Sequence, residues 1–322
     1  IYQCDWSSDV CSSDLTATTY PTATIVVSGG SVVSVTITSP YYGTGFKYPI
    51  TTVLSASAAS LGGSGSGFSV PVSTLREPSY NTSVGSQALY YSTAASNLTA
   101  VGAQALFSYT SPVSYNTAVG YRALYASTSG YSNVAVGGQT LVANTTGAAN
   151  VAIGELMPLS YGTMNTNTTG SYNVAVGSQA LASNNTTDSN VAIGFQSLFT
   201  NIGSKNTAVG TSAAYFQASQ SGTTAVGHQA LYGVNSSGNT AVGYQAGWGN
   251  YGVSSGNNAV FVGYQAGLSI TSGANNVAIG YQAGYSITSN SNNTAVGTSA
   301  LYSNNNGYSN TAVGYRVLYN SN

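Results

Sequence analysis

Asn116-Thr117-Ala118-Val119-Gly120-Tyr121-Arg122-Ala123-Leu124-Tyr125 is one copy of a phrase that this chain writes fourteen times between residues 81 and 318. Its core is Asn, a β-branched residue, Ala, Val or Ile, then Gly; Asn150-Val151-Ala152-Ile153-Gly154 and Asn276-Val277-Ala278-Ile279-Gly280 are further clear copies. The closing glycines are Gly85, Gly102, Gly120, Gly137, Gly154, Gly177, Gly194, Gly210, Gly227, Gly243, Gly263, Gly280, Gly297 and Gly314. Successive spacings are 17, 18, 17, 17, 23, 17, 16, 17, 16, 20, 17, 17 and 17 residues. A period that steady makes each copy one structural unit stacked on the next.

Within a unit, a β-branched stretch ends at Gly, two variable residues follow, and a small-then-large pair such as Ala180-Leu181 or Ala230-Leu231 comes next. A polar Asn/Ser/Thr/Gly loop leads back. Two short strands and two turns per unit predict an all-β parallel solenoid of about 14 rungs over residues 77–322. Gly, Asn and Thr crowd every unit and no 3.6-residue apolar stripe survives, so a helical reading fails. Alternation places Thr117 and Val119 on one face, expected to fill a narrow core, and Asn116, Ala118 and Gly120 on the other, expected to pack against neighbouring chains. The glycine is expected where positive φ or close approach of adjacent rungs forbids a Cβ.

Composition fits this picture. Only 3% of residues are charged, against about 25% in ordinary soluble domains. Disorder would also give a polar, repetitive chain, but it lacks the β-branched run that every unit carries. No stretch approaches the roughly 20 apolar residues of a membrane helix. The N-terminus shows no basic segment followed by an apolar run. The chain stops mid-repeat, four residues after Leu318, and is expected to be cut there.

Residues 1–15 stand apart. The run Asp5-Trp6-Ser7-Ser8-Asp9-Val10-Cys11-Ser12-Ser13-Asp14-Leu15 resembles a translated sequencing adapter, and 1–15 is set aside as an artefact. With it go Cys4 and Cys11, hence any disulfide or CxxC site, and Trp6. The formal charge moves from −1 to +2, five Lys/Arg minus Glu77, Glu155 and Asp188. That charge does not make a nucleic-acid-binding face. Residues 16–76 form a β-rich region: Thr24-Ile25-Val26-Val27 and Val32 to Thr38, joined around Gly29-Gly30, predict a hairpin. Thr51 to Leu54 predicts a third strand, and Gly62 to Gly67 a hinge. This region resembles β-rich repeats of phage and large-virus structural proteins.

The repeat itself resembles the β-roll heads of trimeric autotransporter adhesins. The Gly-Tyr-Gln-Ala variant at 243–246, 263–266 and 280–283 is similar to repeats of phage tail fibres. The resemblance covers about 240 of the 322 residues. It implies a homotrimer and a non-enzymatic attachment protein of a virion tail fibre or a cell surface. The partners it implies are its own copies and a host-surface glycan or protein receptor, with no cofactor, no nucleic acid and no direct membrane insertion. The unit is longer than in many adhesin heads, and no anchor or chaperone domain is visible. The thin core also predicts an oligomer, because ordering each residue costs about 1–2 kcal/mol while small side chains return little at ~25 cal/mol per Å².

Few residues suggest chemistry. His228, the single histidine, occupies the variable place after Gly227 and reads as a surface residue. Glu155 and Asp188 are two rungs apart, a separation compatible with an inverting glycosidase pair, but at different rung positions, which favours solvated acids. No GxxxxGK[ST] loop occurs. The sharper candidates lie where the period breaks: the insertion between Gly154 and Gly177 (Met157, Pro158, Tyr161, Met164) and that between Gly243 and Gly263 (Trp248, Asn250, Tyr251). Exposed Trp248 and Tyr251 with Asn250, and Tyr161, suit sugar stacking and hydroxyl recognition. Tyr244, Tyr264 and Tyr281 follow successive repeat glycines and are expected to stack as a column. Two other classes compete with attachment: ice binding, from recurrent Thr117, Thr207, Thr240, Thr294 and Thr311, and a polysaccharide depolymerase, which needs clustered carboxylates.

Overall fold

The computed structural model describes residues 80–320 apart from 93–94, 113, 155–161, 218–219, 250–255 and 305–306, and five strands nearer the N-terminus. It divides into two compact units, Ile1–Ser79 and Tyr80–Asn322. In the first, β1 (Tyr2–Cys4), β2 (Thr22–Ser28) and β3 (Ser31–Thr38) form an antiparallel sheet in that order. The β2–β3 pair is the expected hairpin, with Ser28 opposite Ser31 and a register shift between Val26 and Val27. The third strand lies slightly later than expected: β4 (Val53–Ala56) pairs antiparallel with β5 (Phe68–Pro71). The expected hinge at 62–67 falls outside the described residues.

The second unit is a parallel β-solenoid. Fourteen three-residue strands, from β6 (Thr82–Val84) to β19 (Thr311–Val313), join in sequence order into one sheet. Register is strict: Thr117 pairs with Val134, Ala118 with Ala135 and Val119 with Val136. No helix occurs among the described residues.

Two expectations about the rung are corrected. Each rung holds one strand, not two. The Ala-Leu segment instead runs as a turn whose residues alternate in handedness: Arg122 (φ 54°) and Leu124 (φ 52°) are left-handed, as are Gln179 and Leu181. This segment still pairs between rungs, with Leu124 N–H donating to Thr140 C=O at 3.1 Å and Ala126 N–H to Val142 C=O at 3.1 Å. It satisfies backbone groups that would otherwise be buried without partners.

The second correction concerns which strand face is inside. Ala118 and its equivalents Ala135, Ala152, Ala175 and Ala192 are fully buried, together with Asn116, Asn133, Asn150, Asn173 and Asn190. Thr117 and Val119 are half-exposed on the outer face, and Ile153, Ile193 and Ile279 are 39% exposed there. Volume is the reason. The opposite wall of the rung already sends a Leu inward (Leu106, Leu124, Leu141, Leu181, Leu198), and the strand has room left only for a methyl group.

Asn is held inside by a ladder. The Asn133 carboxamide accepts the backbone N–H of Asn150 at 2.9 Å and donates to Gly147 C=O at 2.8 Å. Asn116, Asn150, Asn173 and Asn190 repeat both bonds. A second buried ladder links Asn144, Asn167 and Asn184 at 2.9 and 2.8 Å. Buried amides with partners on both ends are stabilising, at about 1 kcal/mol net per bond.

The repeat glycine behaves as expected on both counts. Thirteen of the fourteen, all but Gly154, have φ between 122° and 135°. A Cβ on Gly120 would stand 2.5 Å from the Gly137 carbonyl oxygen of the next rung. Only hydrogen fits both the dihedral and the stacking distance.

Candidate recognition surface

The turn segment after each repeat glycine projects three neighbouring rows of side chains. The first row follows the glycine directly. There His228 stacks on Tyr244 (5.2 Å between ring centroids, 9° between planes), Tyr244 on Tyr264 (5.2 Å, 9°) and Tyr264 on Tyr281 (5.3 Å, 6°). This is the expected tyrosine column, extended by the histidine. All four rings are exposed.

A second row lies five residues after the glycine. Phe199, Tyr215, Tyr232 and Trp248 stack at 5.0, 5.2 and 6.0 Å. Tyr285, Tyr302 and Tyr319 do so at 4.8 and 4.9 Å, and Tyr90, Phe107 and Tyr125 at 5.2 and 5.0 Å. The sequence reading missed this column, although its signal was present: aromatic residues recur there at the same period as the glycines.

Between the two columns stands the second residue after the glycine. The Arg122 guanidinium shows this placement directly, 5.3 Å from the Tyr121 ring and 5.1 Å from the Tyr125 ring. Arg316 lies likewise between Tyr315 and Tyr319 at 5.3 and 5.2 Å. In most rungs Gln takes this place, and the carboxamides form a ladder. Gln245 Nε2 donates to Gln229 Oε1 at 2.9 Å, Gln265 to Gln245 at 3.1 Å and Gln282 to Gln265 at 3.0 Å. Each of these glutamines is left-handed and anchored through its backbone, as where Gln265 N–H donates to Tyr244 C=O at 2.9 Å. The side chain therefore has little freedom to leave the row. Its recurrence at one place in the unit passed for variability in the sequence.

No protein family, curated protein sequence or solved structure matches this chain.

Of the candidate residues in the two insertions, Met164 and Trp248 are described; Met164 is fully buried in the core and unavailable to a ligand, and Met157 and Pro158 lie outside the described residues. Trp248 is half-buried, its ring ends the Phe199–Tyr215–Tyr232 column, and its buried indole N–H has no hydrogen-bond acceptor among the described residues. Asn250, Tyr251 and Tyr161 lie outside the described residues, as does Glu155. Asp188 is in the loop before Asn190, where its Oδ1 accepts the Ser171 backbone N–H at 2.7 Å across one rung. That bond gives the carboxylate a structural task. Among the described residues no group of three or more His, Cys, Asp or Glu side chains is arranged to hold a metal ion, and no helix is long and apolar enough to cross a membrane.

Two tyrosines titrate abnormally. Burial pushes the Tyr109 hydroxyl above its ordinary value of 10.0, opposed by hydrogen bonds with Ser111, Asn116 and Ser114. Tyr302 is also raised, first by desolvation and then by the neighbouring phenols Tyr285, Tyr319 and Tyr281. Both shifts carry the neutral phenol to higher pH than in an exposed tyrosine.

Proposed function

We propose that this chain is a non-enzymatic attachment protein, a segment of a homotrimeric fibre that holds a receptor-binding surface. A phage tail fibre displayed on the virion is the preferred setting. A bacterial trimeric autotransporter head on the cell surface is the alternative. The partners are its own copies and a host-surface glycan or protein receptor.

The observation that carries this reading is the outer face of the fourteen-stranded sheet. On every rung it presents Thr or Val and then Val or Ile, from Thr82 and Val84 to Thr311 and Val313. No charged side chain interrupts it. At ~4.8 Å per strand and ~3.3 Å per residue, this face measures on the order of 650 Å². That is near the ~800 Å² per partner of a stable protein interface, and just above the ~300–600 Å² of the largest apolar patch on a typical monomer. A second and third copy of the same periodic face match it rung for rung.

Light scattering tests the assembly: the expected mass is three times the 32.5 kDa chain, and Val119→Asp with Ile193→Asp should release monomers. A wild-type chain that is a folded monomer overturns the trimer. Adherence of the purified protein to bacterial surfaces tests attachment, and failure to adhere to any cell panel overturns it.

One observation favours a second reading, ice binding. Thr207, Thr224 and Thr240 stand on the outer face of three adjacent strands. Val134, Val151, Val174, Val191 and Val277 interrupt that row elsewhere. Clear thermal hysteresis would replace the attachment reading.

A further inference from the structure

Between Lys205 and Arg316 the sequence contains no Asp, Glu, Lys or Arg. In this stretch the first column is most regular, with Tyr244, Tyr264 and Tyr281 stacked at 5.2 and 5.3 Å. Gln245, Gln265 and Gln282 run beside it as a continuous ladder. Trp248 borders the ladder on its other side, half-buried at the end of the second column.

We infer that this strip binds an extended, uncharged, β-1,4-linked hexose chain lying along the solenoid axis.

Three features point to that ligand. The first is uncovered ring surface. Tyr244, Tyr264 and Tyr281 are 43%, 44% and 50% exposed, which leaves ring carbons and hydroxyls open to the C–H groups and hydroxyls of a sugar. The second is spare hydrogen bonding. A carboxamide offers two N–H donors and two acceptor lone pairs, and the ladder uses one of each, leaving the remainder for hydroxyls. The third is spacing. The ring column repeats at 5.2–5.3 Å between centroids on strands ~4.8 Å apart, both near the advance per sugar of an extended β-1,4-linked chain, so contacts made on one rung recur on nearby rungs. Without formal charge the strip has no ion pair to offer an anionic polymer. A second copy of this chain is better served by the Val/Ile/Thr face, which lacks donors and acceptors on its side chains apart from Thr.

This inference rests on the attachment reading and narrows its ligand. Calorimetric titration with cellohexaose and mannohexaose tests it, with cellotriose and hexagalacturonate as short and charged controls. At least one neutral hexaose should bind, the trisaccharide more weakly, and the acidic hexamer not at all. Tyr264→Ala and Gln265→Ala should each weaken binding about tenfold, equivalent to ~1.4 kcal/mol, with unchanged thermal unfolding and mass. The inference is overturned if neither neutral hexaose binds, if hexagalacturonate binds as tightly, or if Tyr264→Ala leaves affinity unchanged. Cell adherence separates the two readings. Wild-type adherence that Tyr264→Ala does not alter, with no hexaose binding, removes this site and leaves attachment standing. Hexaose binding by a protein that adheres to no cell leaves the site standing and removes attachment.

Discussion

Rungs at 116–206 and rungs at 239–293 share one backbone and fill it differently. In the first group Leu124, Leu141, Leu181 and Leu198 point inward from left-handed positions (φ 48–52°), with the Asn144, Asn167 and Asn184 ladder beside them. In the second group the same left-handed position is Gly247, Gly267 and Gly284 (φ 57°, 61° and 56°). The missing volume comes from elsewhere. Phe261 replaces the strand alanine between Ala241 and Ala278, and Ile270 and Ile287 take the place of the second Asn ladder. A Cβ on Gly247 would stand 2.6 Å from the Phe261 ring, one on Gly284 2.6 Å from Ile287 Cδ1, and one on Gly267 would enter the Phe261 ring.

The difference teaches that each rung conserves interior volume across its two walls rather than residue identity at any one place. It also exposes a trade. A left-handed Leu carries roughly 1–3 kcal/mol of backbone strain, tolerated because packing over-determines it. Glycine relieves that strain but contributes no side chain, and the large partner must then come from the strand.

The comparison can be broken most sharply at Phe261. Phe261→Ala should leave a cavity between two glycines that cannot close it and destabilise the solenoid by about 3–5 kcal/mol, read from chemical denaturation. Adding Gly267→Leu to that variant should restore part of the loss, whereas Gly267→Leu alone should destabilise; equal loss in both backgrounds would refute the volume exchange. In the other region, Asn133→Ala removes the partner of the Asn150 N–H and the Gly147 carbonyl. It should cost about 1–3 kcal/mol, and hydrogen exchange at Asn150 should accelerate.

The alkaline limb gives a smaller effect. Tyr109 and Tyr302 have raised folded values, so the unfolded chain loses these protons first. Their contribution is complete below pH 10.0 and is lost as pH rises from there through the folded values. Melting temperature should fall above that pH, less so in Tyr109→Phe. The smallest effect belongs to the outer columns: Tyr264→Ala should change stability by no more than about 0.5 kcal/mol, and a larger loss would make the column a structural brace.

Much of the fold was legible because the repeat glycine is an obligatory residue. Its period gave fourteen rungs, and its lack of a Cβ gave the turn and the close approach. The recognition surface was legible only in part. Tyr244, Tyr264 and Tyr281 announced a column by position, but Gln245, Gln265 and Gln282 looked like surface variation, and the Phe199–Tyr215–Tyr232–Trp248 column hid behind the adjacent Leu and Ala. The two-strand rung was misread because Ala-Leu pairs suggest extended backbone, whereas the chain turns there with alternating handedness.

By itself, the sequence determined the number of rungs, their strict register and the places where only glycine fits, because these follow from a local repeat and backbone sterics. The tertiary structure alone decided which strand face is inside. Period-two alternation defines two faces and cannot rank them; the ranking depends on Leu124 and its equivalents arriving from the opposite wall. It also decided that rows separated along the unit become neighbours, since the Tyr121 and Tyr125 rings meet around Arg122 only after the turn has folded.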